Sequence, residues 1–475
     1  MDKRSLKIGL FGIGLETYWR QFDGLLTRLD GYQQQIVERL KQPGVTLIDA
    51  GMVDTVDKAR AAAAQFRQED VSLIFLYVST YALSATVLPV VQQTKAPVVI
   101  LNLQPTAAID YAWFNQLGDR GLMTGEWLAN CQACAVPEIA NVFNRARIAF
   151  YQVTGTLQDE VAWQEVTEWV EAARVTADMA ANRVGVLGHY YNGMLDIYSD
   201  LTLQATTFGG HIEHIEMDEL VQFRRTVTEA EIQGKTADIY KEFIVLNECP
   251  AEEVRRAAQT AVALDKLVTH RRLGSLCYYY EGTHGNEYEE LISSVITGTS
   301  MLTARNVPVA GEYEVKNVQA MKIMDLFGAG GSFTEFYGLD FNDDIVLMGH
   351  DGPGHLAIAE GKPLLKPLGV YHGKPGRGLS VEMKVKYGPV TLLSVVETGD
   401  GQLKLLVAEG ESVAGPILEI GNTNSRYRFP LGVKVFVERW CEQGPAHHCA
   451  IGVGHIAAKI VKLGALLHVA VHRVC

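Results

Sequence analysis

The sequence predicts an α/β protein whose last third is rich in strands. Three observations carry that expectation. Short apolar, β-branched runs alternate with helical patterns over the first 150 residues. The same alternation continues, with longer helices, to about residue 328. Beyond about residue 330, period-two segments separated by turns take over.

In the first segment the strand-like runs are Leu6–Phe11, Val45–Asp49, Val71–Val78 and Pro97–Leu103. Helical patterns such as Phe22–Lys41 and Thr55–Gln68 lie between them. Such repetition implies a parallel sheet with helices on both faces. Ligands of these sheets lie beyond the carboxyl ends of the strands, so the loops Gly12–Trp19 and Asn102–Tyr111 are candidate site walls. Arg147–Thr154 and Arg183–Gly188 read as strands around a long amphipathic helix, Glu160–Asn182. Helices follow at Ala251–His270 and Asn286–Gly298, with a strand at Leu273–Tyr280. In the last third Val381–Tyr387, Val390–Glu397, Gln402–Glu409 and Val433–Trp440 are strand-like, and turns such as Thr398-Gly-Asp-Gly401 suit an antiparallel arrangement. A chain of 475 residues is too long for one hydrophobic core. The expected division is 1–185, an N-terminal α/β domain; 186–328, a central α/β domain; and 329–475, a β-rich domain.

With 48% hydrophobic and 20% charged residues the chain is globular, not disordered. Its net charge of −13 disfavours a phosphate backbone as partner, so no nucleic acid is expected. No apolar stretch reaches the roughly 18–20 residues that span a bilayer, and the first residues lack a signal-peptide pattern. Seven scattered cysteines fit reduced thiols, and a cytoplasmic location is expected. Cys131 and Cys134 form a lone C-x-x-C, read as a coincidence of helix or loop.

Gly9, Gly12 and Gly14 follow the first strand as G-x-x-G-x-G, not the dinucleotide fingerprint, and the loop continues with bulky Tyr18 and Trp19. The dense region is 310–355. Glu312 opens a helical pattern that stops at Gly328; Glu335 sits between Phe333 and Phe336 among strand residues; His350 follows a strand in a glycine-rich loop. Far downstream come His447 and His448, after Gly444-Pro-Ala. Taken singly, each has an ordinary structural role open to it: a helix-dipole carboxylate for Glu312, a solvent-facing edge carboxylate for Glu335, a turn or packed ring for the histidines. Asp351, His355, His189, His211, His214, His270 and His284 are read as loop or packing residues. Taken together, two carboxylates and two imidazoles suit a divalent cation of the manganese type with positions left for water and substrate. A dication would offset the burial of both acids. It would also serve proton abstraction beside a sugar carbonyl, with one glutamate removing the C2 proton, the other delivering a proton at C1, and a cis-enediol between.

At these residues the sequence resembles the L-arabinose isomerases, within the L-fucose/L-arabinose isomerase group. The matching stretches are Gly311-Glu-Tyr-Glu-Val-Lys, Gly330-Gly-Ser-Phe-Thr-Glu-Phe-Tyr, Leu347-Met-Gly-His and Gly444-Pro-Ala-His-His, in the family's order. Weaker echoes are Asn102-Leu-Gln-Pro-Thr-Ala, Val153-Thr-Gly-Thr-Leu-Gln-Asp-Glu and Asn192-Gly-Met194. The resemblance implies Mn²⁺, with Co²⁺ or Mg²⁺ as alternatives, bound by Glu312, Glu335, His350 and His448, with His447 open as the fourth ligand instead. It implies that Glu312 and Glu335 are also the acid–base pair. It further implies two Rossmann-like domains, a β-rich C-terminal domain, and a homotrimer or homohexamer with sites completed across subunits. Tyr18, Met194, Tyr280 and His447 are candidate sugar contacts. The chain departs from the family at Ala108, where a histidine is usual, at Phe336 beside the catalytic glutamate, and in the first loop. The expected function is therefore a metal-dependent aldose–ketose isomerase acting on L-arabinose or a related pentose or hexose. The alternative is a non-catalytic sugar-binding or regulatory protein on the same scaffold.

Overall fold

The computed structural model describes residues 5–282, 285–371 and 374–475; His284 lies outside them. The chain forms two compact units, Met1–Ala177 and Asp178–Cys475. Among the described residues no helix is long and apolar enough to cross a membrane.

In the first unit, β1 (Leu6–Ile13), β2 (Val45–Val53), β3 (Leu73–Val78), β4 (Val98–Gln104) and β5 (Phe150–Thr156) make one sheet in the order β2-β1-β3-β4-β5. Every pairing is parallel. β3 is buried throughout and β4 nearly so, as strands covered on both faces must be. The helix Val56–Glu69 lays Ala59, Ala62 and Phe66 on this sheet, and the Thr55 hydroxyl caps it by accepting from the Lys58 N–H at 3.3 Å.

The second unit holds two large sheets. β6 (Arg183–Gly188), β7 (His211–Ile215), β8 (Ser275–Tyr279) and β9 (Val309–Ala310) are parallel, in the order β9-β8-β6-β7. The long helix Ala251–Arg271 buries Ala263, Leu264 and Leu267 in the core of this sheet. The strand-rich part comprises β10 (Gly330–Asp340), β11 (Ile345–His350), β12 (Gly388–Glu397), β13 (Leu403–Val413), β14 (Thr423–Arg428), β15 (His448–Val453) and β16 (Ala470–Arg473). Neighbours run β12-β15-β10-β11-β14-β13, and β13 pairs back to β12, so six antiparallel strands close into a ring. β16 adds to β13 in parallel. The architecture is thus two parallel α/β sheets followed by a strand-rich C-terminal sheet, the fold class the sequence predicts.

Three elements differ from the sequence reading. Val433–Trp440 is not a strand but the start of a helix, Val433–Cys441. Val433, Phe436 and Trp440 recur at helical spacing and are buried, and the Phe436 ring stacks on Phe429 at 3.6 Å. The β-branched composition suggested a strand, but the i, i+3, i+7 burial decides it. Asn286–Gly298 is not one helix but two, Glu287–Ile292 and Ile296–Thr303. At the break the Ser294 hydroxyl lies within hydrogen-bond distance of the Glu290 and Leu291 carbonyls, and Arg256 donates to the carbonyl of Glu290 at 2.9 Å, drawing it off the helix ladder. Glu312 does not begin a helix either: the helix starts at Val315, with Glu314 at its N-cap.

Candidate metal centre

Four sequence segments of the second unit deliver the site. Glu335 lies in β10, directly opposite Gly349 of β11 on one side and His448 of β15 on the other. Directly opposed residues share a face, so Glu335 and His448 project together. His350 is the last residue of β11. Gly349 beside it is required by packing: a Cβ there would sit 1.9 Å from the Thr423 carbonyl oxygen of β14. Glu312 comes from the turn before the helix Val315–Leu326. Glu312 and Tyr313 have φ of 58° and 62°, two consecutive left-handed residues without glycine. Each such residue costs on the order of 1 kcal/mol or more and persists only where its surroundings hold it. Here the Tyr313 N–H donates to the Tyr278 carbonyl at 3.0 Å, at the end of the parallel sheet, and the Glu314 N–H donates to Gly311 at 3.0 Å.

These segments bring the four predicted residues together. The Nε2 atoms of His350 and His448 are 3.2 Å apart. Glu312 Oε2 lies 3.3 Å from His448 Nε2, and Glu312 Oε1 lies 3.8 Å from His350 Nε2. Glu335, His350 and His448 offer ligand atoms all within 4.8 Å of one another, as do Glu312, His447 and His448. His448 belongs to both groups and is 1% exposed. The Phe333 ring backs the two imidazoles at 4.2 and 4.4 Å.

Burial sets the electrostatics. It pushes the Glu312 carboxyl up to about 7, with the charge on Glu335 adding to the shift and His447 opposing it. It pushes Glu314 up to about 8, and raises Glu335 with help from Asp351. Burial also holds His448 well below the usual imidazole range, with His447 adding to it. For His447 burial works downward, but its hydrogen bond to Asp196 prevails and raises it.

A divalent cation fits these residues. Buried Glu312, half-buried Glu335 and the buried imidazoles of His350 and His448 converge, and Glu312 Oε2 is buried without a hydrogen-bond partner. Donors at right angles around a cation with bonds of about 2.1 Å stand about 3 Å apart, close to the 3.2 and 3.3 Å separations here. Mixed oxygen and nitrogen donors match a manganese-type ion better than a thiol-preferring one.

Sequence reasoning missed the groups behind the donors. Glu314, fully buried, holds His448 Nδ1 at 2.6 Å. Such a carboxylate fixes the ring so that Nε2 faces the centre. Asp196, in the loop after β6, holds His447 Nδ1 at 2.6 Å and accepts its backbone N–H at 3.0 Å. His447 Nε2 then lies 3.8 Å from Glu312 and 3.9 Å from Glu335. The buried Lys316 ammonium donates to the Asp196 carbonyl oxygen, fastening that loop to the helix behind Glu312. Tyr337, two residues after Glu335, accepts from Asn422 Nδ2 at 2.9 Å, and its hydroxyl is raised by burial and by Glu335. The spacing Glu312-x-Glu314 was the available signal for one of these. Asp196 and Lys316 carry none, since their roles arise from contacts 251 and 120 residues apart.

The other predicted sugar contacts are placed as follows. Met194 is half-buried in the loop that carries Asp196. Tyr280 follows β8; its ring meets Tyr288 edge-on at 5.3 Å and its hydroxyl accepts from Asn286 at 3.0 Å. Tyr18 belongs to the first unit, on the helix Glu16–Gln21, where it packs edge-on against Phe22 at 6.0 Å.

Residues 347–474 match the family described as L-fucose isomerase, C-terminal domain. An L-arabinose isomerase from Aeromonas salmonicida (strain A449) is 22% identical over 428 residues, covering 86% of this chain and 80% of that protein. The C-terminal part thus matches a domain of the L-fucose isomerases, and most of the chain is similar to an L-arabinose isomerase. The matched domain contains His350 and His448, while Glu312 and Glu335 precede it. Among solved structures, D-threo-3-hydroxyaspartate dehydratase from Delftia sp. HT23 aligns at 14% identity over 92% of this chain and 89% of that one, with a TM-score of 0.12.

Proposed function

We propose that this protein is a divalent-metal-dependent aldose–ketose isomerase of the L-fucose/L-arabinose isomerase family, with Glu312, Glu335, His350 and His448 holding Mn²⁺. The convergence of Glu312 Oε2 and His350 Nε2 on His448 Nε2, at 3.3 and 3.2 Å, carries the reading. When bound, the cation supplies polarisation of the sugar oxygens at C1 and C2. The chain's own residues do the rest. Glu312 and Glu335 are the proton carriers: one takes the proton from C2, the other delivers one to C1, through a cis-enediol. Such a group contributes about 10²–10⁴ in rate. His447, set between the two glutamates and oriented by Asp196, donates to a sugar oxygen. Phe333 and the closed strand ring keep bulk water from the donors' rear face.

The substrate is L-arabinose, giving L-ribulose, or a related pentose or hexose; the curated relative's name favours the first, while Ala108 and Phe336 leave room for the second. Co²⁺ or Mg²⁺ are the alternative cations. Met194, Tyr280 and Tyr18 are proposed as sugar contacts, and a cytoplasmic homotrimer or homohexamer as the working form. The division 1–185, 186–328 and 329–475 is proposed with them; it follows the three large sheets except that β6, Arg183–Gly188, crosses its first boundary. The test is incubation of Mn²⁺-loaded protein with a panel of aldoses. A ketose of unchanged carbon count is expected. Shorter fragments, or no turnover of any pentose or hexose, overturn the proposal.

A further inference from the structure

The first unit contains a cysteine pair that the proposed isomerase chemistry does not use. Cys131 is the N-cap of the helix Gln132–Ala146, and Cys134 is that helix's third residue. Cys131 is 5% exposed, whereas Cys134 is exposed. Beside burial, the neighbouring Cys134 thiol raises the Cys131 thiol, while backbone groups of Cys134 and Tyr81 oppose the shift. Residues three apart on a helical turn have Cα atoms about 5 Å apart, within the roughly 4.4–6.8 Å that a disulfide requires. The backbone around the pair is held in place. Gln132 Nε2 donates to the Ser79 carbonyl at 2.9 Å and to Ala129 at 3.0 Å, and the Thr80 hydroxyl donates to Leu128 at 2.7 Å. We propose that Cys131 and Cys134 are a reversible dithiol–disulfide site, oxidised by a low-molecular-mass disulfide.

The exchange balances in two steps. The Cys134 thiolate attacks one sulfur of the small disulfide; a Cys134–S bond forms, the small S–S bond breaks, and one small thiolate leaves. Cys131 then gives up its proton to solvent and attacks the Cys134 sulfur. The intramolecular S–S bond forms and the second small thiolate leaves. Two electrons pass from the cysteine pair to the small disulfide. Division of labour follows from position: the exposed sulfur meets the oxidant and the buried one resolves the mixed disulfide. Burial pushes the Cys131 thiol up to about 12, so its thiolate is scarce and closure onto Cys134 is the slow step.

The experiment equilibrates the full-length protein with glutathione disulfide and reduced glutathione at graded ratios, quenches with an alkylating agent, and maps the peptides by mass. The expected result is a linked Cys131–Cys134 peptide lighter by two hydrogens, restored by dithiothreitol. In Cys131→Ser the reaction stops at a glutathione adduct on Cys134, and in Cys134→Ser neither the linked peptide nor an adduct at Cys131 forms. Circular dichroism of each variant checks that it is folded. A wild-type protein that accumulates a lasting adduct on Cys134, or that stays doubly alkylated at every ratio, overturns the assignment.

Discussion

Replacing Glu314 by glutamine tests the centre through a residue proposed to touch neither cation nor sugar. Glu314 Oε2 holds His448 Nδ1 at 2.6 Å, and Glu314 is fully buried. Glutamine keeps the shape and an acceptor oxygen but removes the charge. A hydrogen bond to a charged group contributes roughly 1.5–3 kcal/mol, and one between neutral groups about 1. The loss in His448 orientation and basicity is therefore about 0.5–2 kcal/mol, a fall of roughly 2–30-fold in cation affinity, whose upper part overlaps the range of about 10–100-fold found for such partners. The metal-free protein responds in the other direction. Burial raises the Glu314 carboxyl to about 8, so its ionised form is disfavoured in the folded state, and a neutral amide removes that cost at alkaline pH. Titration calorimetry with Mn²⁺, alongside the thermal midpoint of chelated protein at pH 8.5, reads both effects. Weaker binding with an unchanged or higher metal-free midpoint is expected. Wild-type affinity in Glu314→Gln, or a collapsed midpoint with affinity intact, refutes the role given to this carboxylate.

Further outcomes follow from the same geometry. Glu335→Gln removes a proposed ligand and a proton carrier together, so turnover in a ketose-formation assay falls at least about 10²-fold; a mild defect removes Glu335 from the mechanism. Chelation lowers both activity and the thermal midpoint, because a cation bound only by the folded protein stabilises it; an unchanged midpoint in differential scanning calorimetry contradicts the centre. The pH dependence has a definite sign. The Glu312 carboxyl is raised from 4.5 to about 7, so its contribution to metal-free stability is present below pH 4.5 and lost as pH rises through 7. Cation binding needs this group ionised, so affinity rises about tenfold between pH 6 and pH 8 from it alone, measurable as a larger Mn²⁺-induced shift of the midpoint at pH 8. Gly349→Ala places a methyl 1.9 Å from the Thr423 carbonyl oxygen, forces β11 from β14 beside His350, and costs about 1–3 kcal/mol or more in chemical denaturation, with weakened Mn²⁺ binding.

The parallel sheets were legible because their strands are short apolar runs bounded by helical periodicity. Leu73–Val78 and Val98–Leu103 are buried on both faces, and nothing in the sequence competes with that reading. Where two signals competed, composition misled. Val433–Cys441 is β-branched by content yet helical by burial period. Asn286–Gly298 is helical by pattern yet broken where Ser294 and Arg256 reach the carbonyl of Glu290. The convergence of the four candidate donors was legible for a different reason. Three of them stand in a local setting that imposes a glycine or aromatic neighbour: Gly311 before Glu312, Phe333 near Glu335, Gly349 before His350. Those neighbours are consequences of close backbone approach and of an apolar rear wall.

The residues that orient the donors left no such local trace. Asp196 reaches His447 across 251 residues of chain, and Lys316 reaches Asp196 across 120. A lysine on a helix and an aspartate in a loop are the commonest of surface residues, and only the burial of Lys316 marks it as different. Even Glu312 was legible in identity and not in conformation. Its two-residue left-handed turn with Tyr313 has no glycine to announce it. That turn aims the carboxylate at His448, while the helix that follows begins three residues later. A carboxylate in the first helical turn, as the sequence suggested, would have met the helix dipole and been lowered. Ahead of the helix and desolvated it is raised instead, which is the state that a cation would reverse.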